Sequence, residues 1–182
     1  MADFIQTLDE KILFFIQDNL HNGFLDILMP FITFLGSSGG LVWIAACVAL
    51  IFSKKYRMAG IMGICVILLS NIASEYLIKS IVQRPRPFIL HPQELLISKP
   101  GGYSFPSSHT TVSFAVSTVL FISIKKYGFI LFTSALLISF SRLYLFVHYP
   151  SDVITGAITG LLCSLAVLGA FKKFVPGAFN LK

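Results

Sequence analysis

The chain has 182 residues, of which 55% are hydrophobic and 12% charged, and its formal net charge is +6. A soluble domain carries about 25% charged residues, so this balance excludes an ordinary water-soluble enzyme and predicts an all-α, polytopic membrane bundle. The basic residues cluster between apolar runs, so the surplus charge reads as a topology signal and a surface for anionic headgroups, with no nucleic-acid partner.

In chain order, residues 4–20 place Phe4, Ile5, Leu8, Ile12, Phe15 and Ile16 at helical spacing among Asp9, Glu10, Gln17 and Asp18. That predicts an amphipathic helix lying in the membrane interface, too polar to cross. Acidic Asp3, Asp9 and Glu10 stand where a secretory signal would be basic, so no such signal is expected. Residues 24–35 and 41–52 are short apolar runs separated by Gly36-Ser37-Ser38-Gly39-Gly40. Residues 58–78 read as a clear span. Residues 79–107 contain Arg84-Pro85-Arg86-Pro87, Pro92, Pro100-Gly101-Gly102 and Pro106. An irregular backbone of that kind belongs outside the hydrocarbon, because lipid cannot satisfy its polar groups. Residues 109–124, 127–147 and 151–171 complete the set. The expected architecture is a single integral-membrane domain over residues 1–182, with about six transmembrane helices and an interfacial helix over 1–21.

Cys47, Cys65 and Cys163 sit inside apolar runs without metal-ligand spacing, and are read as small buried apolar residues. Gly156 and Gly160 are read as a packing face for a neighbouring helix. Basic clusters follow the second, fourth and sixth runs: Lys54/Lys55/Arg57, Lys125/Lys126 and Lys172/Lys173. With six crossings they share one side, which the positive-inside rule makes cytoplasmic. The 79–107 segment and the turn near residue 148 then share the opposite side.

On that opposite side lie the chemically costly residues. Lys79, Arg86 and Arg142 are three cations suited to phosphate, one as a point charge and two as planar forks. Pro106-Ser107-Ser108-His109 precedes a helix, so Ser107 or Ser108 can cap it and its amides can face an anion. Asp152 follows His148 by four residues, across Pro150 and Ser151. A carboxylate that fixes one ring nitrogen leaves the other free to attack. His148 is therefore the candidate nucleophile, Asp152 its orienter and His109 the general acid for the leaving group. Glu75, one turn before Lys79, reads as a supporting ion-pair partner. His21 and His91 have no partner pattern and are read as solvated.

Lys79 with Arg86-Pro87, the Pro106–His109 tetrad, and Ser141-Arg142 with His148 and Asp152 together resemble the three signatures of the type-2 phosphatidic acid phosphatase superfamily, in order. The motifs span residues 79–152, and the six-span layout extends the likeness. The resemblance implies hydrolysis of a membrane lipid phosphate without metal or other cofactor, through a phosphohistidine at the position of His148. It implies His109 as acid, Asp152 as orienter, and Lys79, Arg86, Ser107, Ser108 and Arg142 as phosphate binders. The second signature usually has glycine where this chain has Ser108. Undecaprenyl diphosphate is the leading expected substrate, with phosphatidylglycerophosphate, phosphatidic acid and lipid A phosphate as alternatives. A small transporter would place its charges at mid-membrane in an internal repeat; here they gather toward one face and no repeat is visible. The Gly36–Gly40 break is the one feature in its favour. A soluble vanadate peroxidase, which shares the anion cradle, is excluded by composition.

Overall fold

A computed structural model describes residues 2–36 and 40–175, and those residues contain helices and no strands. The helices are α1 (Ala2–Leu20), α2 (Gly23–Leu35), α3 (Leu41–Ile51), α4 (Arg57–Asn71), α5 (Lys79–Val82), α6 (Pro87–Leu90), α7 (Ser108–Ser123), α8 (Gly128–Tyr144) and α9 (Pro150–Phe174). A π-helical turn, Ile72–Ile78, joins α4 to α5 without a break. Among the described residues three stretches are long and apolar enough to cross a membrane: Arg57–Leu90, Lys125–Tyr144 and Pro150–Phe174. α2, α3 and α7 are apolar but shorter. At ~1.5 Å per residue they fall below the roughly 30 Å of a bilayer core. Ser37, Ser38 and Gly39 of the expected break lie outside the described residues.

The bundle is built around α7, which packs against α4, α8 and α9. Val112, Ala115, Val116 and Val119 are buried, and so are Thr110, Thr111, Ser113 and Ser117. Small residues let the backbones close. A Cβ on Gly156 would stand 2.7 Å from the Ser107 carbonyl, and one on Gly160 would collide with the Thr111 carbonyl. The two glycines thus form the expected packing face, and their partner is the helix that begins at Ser108. Cys47 and Cys163 are buried and Cys65 half-buried, all as free thiols.

Two expectations change, and a third element gains a partner. The helix predicted to stop at residue 78 continues through Val82, so Lys79 belongs to a helix rather than to the loop. It stops where Gln83 adopts φ +49 before Arg84-Pro85, because a residue preceding proline is disfavoured in the α region. The span predicted over 127–147 ends at Tyr144. Leu145, Phe146 and Val147 are as apolar as a span, but they leave the helix in a turn, with Phe146 at φ +57, and are completely or nearly buried. Their hydropathy reflects burial in protein rather than in lipid. Finally, α1 is anchored to the bundle. Leu13 and Ile16 are buried together with Asp9, while Phe4, Ile5, Leu8, Ile12 and Phe15 are exposed.

His21 and His91 also differ from expectation, since both have partners. His21 Nδ1 lies 3.0 Å from Asp26 and its ring stacks on Tyr144. His91 Nε2 lies 3.2 Å from Glu10, with its ring edge-on to Phe14. Both contacts tie the start of the chain to the rest.

Candidate active site

Helices α4–α5, α7, α8 and α9 each carry a basic cluster or loop at one end and a candidate site residue at the other. The chemistry therefore converges at one end of the bundle. α9 begins at Pro150, whose fixed φ suits the first helical position. Asp152, two residues on, accepts from the Tyr149 amide at 2.8 Å through Oδ2. That bond places the carboxylate beside His148, with Nδ1 3.5 Å from Oδ2. The separation is longer than a hydrogen bond and within ion-pair range. Ser104 Oγ donates to the same oxygen at 2.5 Å.

The other face of the imidazole fixes its tautomer. Arg86 Nη1 lies 3.1 Å from His148 Nε2. A guanidinium only donates, so Nε2 carries the lone pair and the proton sits on Nδ1, toward Asp152. Burial, reinforced by Arg86 and Arg142 and opposed by Asp152, pushes the His148 pKa down to about 3. The ring is neutral at neutral pH, with its free electron pair aimed at a cation.

Arg86 is itself held by carbonyls. Its Nε donates to Gly102 (3.1 Å), Nη2 to Gly101 (3.0 Å) and Nη1 to Val147 (3.0 Å). Arg142, 3% exposed, donates from Nη1 to Thr33 Oγ1 at 2.5 Å, and its buried Nε has no hydrogen-bond partner among the described residues. An unpaired buried donor on a cation is costly unless an anion approaches it. Lys79 pairs with Glu75 at 2.7 Å, as the spacing predicts, and Ser108 Oγ also donates to that carboxylate. His109 borders two cavities. One, of about 270 Å³, is lined also by Thr33, Pro100 and Arg142; the other, of about 200 Å³, by Glu75, Ser108 and Asn71. Arg142, His148, Lys79 and Arg86 all lie within electrostatic reach of His109.

Ser107 stands at the N-cap position of α7, but its side chain makes no capping bond. Its hydroxyl accepts from Thr110 and its amide donates to the Asp152 carbonyl at 3.1 Å. Ser107 therefore ties the start of α7 to the start of α9, which corrects its expected capping role.

Sequence reasoning missed Arg84, Ser104, Thr33 and Asp9. Arg84 donates to Asp152 Oδ1 at 2.7 Å and to Asp9 Oδ2 at 2.7 Å. The signal for Asp9 was its place on a stripe with Leu13 and Ile16, a carboxylate on the buried face of α1.

The sequence profile of the PAP2 superfamily matches residues 60–176, nearly two thirds of the chain and all the motif residues. The chain belongs to the PAP2 superfamily. Undecaprenyl-diphosphatase BcrC of Bacillus subtilis (strain 168) is 34% identical over 149 residues, which cover 78% of this chain and 72% of that protein. The crystal structure of Aquifex aeolicus LpxE superposes with a TM-score of 0.72 at 31% identity, covering 89% of this chain and 95% of the other. That of a PAP2 type phosphatidylglycerolphosphate phosphatase from Bacillus subtilis gives 0.76 at 26% identity, covering 93% and 87%. This PAP2 protein is a multi-pass membrane hydrolase of the lipid phosphatase kind.

Proposed function

We propose that this PAP2 phosphatase converts undecaprenyl diphosphate to undecaprenyl phosphate through a phosphohistidine on His148, on the non-cytoplasmic face of the membrane. The observation that carries the mechanism is the tautomer of His148: a neutral ring with Nε2 unprotonated beside Arg86. The Nε2 lone pair attacks the terminal phosphorus and the bridging P–O bond breaks. His109 donates a proton to the departing oxygen. Water then attacks phosphorus as His109 takes its proton, the P–Nε2 bond breaks with its electron pair returning to His148, and inorganic phosphate leaves.

Arg86, Arg142 and Lys79 balance the charge that grows on the phosphoryl oxygens, with Ser107, Ser108 and the start of α7 beside them. Asp152, 3.5 Å from Nδ1, offsets the positive charge that the ring gains on attack. Positive charge that a metal would otherwise supply comes from these side chains, so full turnover is expected in excess chelator; dependence on a divalent ion would refute this part. The substrate rests on the likeness to undecaprenyl-diphosphatase. The face of the site rests on the basic clusters at the far ends of the same helices.

His148→Ala is expected to abolish phosphate release while the protein still folds, as a cooperative thermal unfolding transition in detergent would show. A fully active variant would remove the nucleophile assignment. Phosphate released from undecaprenyl diphosphate, phosphatidylglycerophosphate, phosphatidic acid and lipid A, compared by kcat/KM on the purified protein, tests the substrate. A prenyl diphosphate that ranks last would overturn that choice.

A further inference from the structure

We propose that Arg84 and Asp9 are positioning residues for phosphoryl transfer: Arg84 fixes the Asp152 carboxylate that directs His148, and Asp9 of α1 fixes Arg84. The inference rests on His148 as nucleophile and Asp152 as its partner.

The Arg84 guanidinium bridges two elements with four bonds. Nη1 donates to Asp152 Oδ1 (2.7 Å) and Ser151 Oγ (2.8 Å). Nη2 donates to Asp9 Oδ2 (2.7 Å) and Gln6 Oε1 (2.6 Å). The Tyr149 ring lies under the cation, 3.9 Å from its centroid. Asp9 also accepts from the Ser151 amide at 2.8 Å and from the Ser151 hydroxyl. Asp9 is 3% exposed and Asp152 fully buried.

Geometry alone gives Arg84 a role in orientation. Oδ2 of Asp152 is occupied by Ser104 and the Tyr149 amide, and it faces His148. Oδ1 is held by Arg84. With both oxygens held, the carboxylate cannot rotate away from the imidazole. A lysine could not replace this grip, because it lacks the planar fork that reaches two carboxylates at once.

Charge adds a second role. Two buried carboxylates flank one guanidinium. The other groups facing this cluster are Arg86 and His148, with Tyr149 and Glu10 at its edge. Without Arg84 the Asp152 carboxyl loses a cation that holds its pKa down, and the negative charge of Asp9 is no longer offset beside it. A protonated Asp152 no longer offsets the positive charge that the His148 ring gains as Nε2 attacks, so the attack slows. α1 is thereby part of the machinery. Its outer face of Phe4, Ile5, Leu8 and Phe15 is exposed, while Gln6 and Asp9 point inward to Arg84.

The test uses purified full-length protein in detergent with farnesyl diphosphate, and measures kcat and KM across pH. Arg84→Gln is expected to lower kcat about 10- to 100-fold, the scale on which outer partners act where they orient a ligating histidine. KM should change little, and the acid limb of kcat should move to higher pH. Arg84→Lys should not restore kcat. Adding Asp9→Asn to Arg84→Gln should return the acid limb toward wild type, since only one carboxylate remains; a merely structural role predicts further damage without that return. Wild-type kcat in Arg84→Gln, a loss carried by KM alone, or an unmoved acid limb in the double variant overturns the inference. Should Arg84→Gln fail to fold by thermal unfolding, Asp9→Asn alone decides: a lowered kcat supports the inference and an unchanged one overturns it. His148→Ala separates the two readings. Activity there refutes the nucleophile itself, whereas an inactive His148→Ala beside an unaffected Arg84→Gln overturns only the positioning role.

Discussion

At His148 burial and two arginines act together against Asp152, and the imidazole resists a proton until about pH 3. In the unfolded chain a histidine titrates near 6.5. Below that value the unfolded state binds a proton that the native state refuses. The stability His148 contributes is therefore complete above pH 6.5 and is lost as pH falls toward 3. The slope approaches about 1.4 kcal/mol for each pH unit in that window. Thermal unfolding in detergent should fall more steeply with acid for wild type than for His148→Asn, and equal slopes would contradict the buried neutral ring. His109 invites a different comparison. A diphosphate expels a weakly basic phosphate, whereas a monoester expels a basic alkoxide that needs a proton. His109→Asn should slow the first turnover of a lipid monophosphate more than that of a prenyl diphosphate; an equal loss would remove His109 from leaving-group protonation. The motif residues were legible because their chemistry is rare in an apolar chain. Arg84 was not, because a surface cation and a buried one look alike in a string of letters; Asp9 was marked only by its stripe with Leu13 and Ile16.

Elements were legible where hydropathy and burial have one cause. α4 and α9 bury one face in protein and leave the other exposed, and their long apolar runs showed it. Residues 145–147 were misread as part of a span because their apolar side chains answer to the protein interior. The seam between α7 and α9 carries both site halves, since Ser107 bonds the Asp152 carbonyl and Gly156 abuts Ser107. Gly156→Ala should therefore destabilise by about 1–3 kcal/mol, as overpacking does, and should lower activity. Gly169→Ala on the same helix meets nothing within 4 Å and should leave both near wild type. Matching Tm values for the two variants would show that the seam tolerates more space than its backbone distance allows.

The whole molecule places its chemistry at one end and its basic clusters at the other. In a background lacking native cysteines, a cysteine introduced at Gln93 should react with an impermeant maleimide added outside intact cells, while one at Lys126 should not. The reverse pattern would invert the proposed orientation. The short α2 and α3 matter on this scale. Thr33 on α2 holds Arg142, and Pro30, Thr33 and Phe34 wall the cavity at His109, so the segment with the weakest span signal supplies part of the site.

The sequence by itself determined the class, the helical bundle and the residues of the candidate site, because cations and paired histidines are too costly in an apolar chain to pass unnoticed. Tertiary structure alone decided which nitrogen of His148 is free and which cation has an open donor. It also decided that α1 reaches the Asp152 carboxylate through Arg84. The reason is physical: residue type and spacing specify what a side chain can do, but a tautomer, an unpaired donor or a shared counter-ion exists only once neighbours distant in sequence have been packed against it.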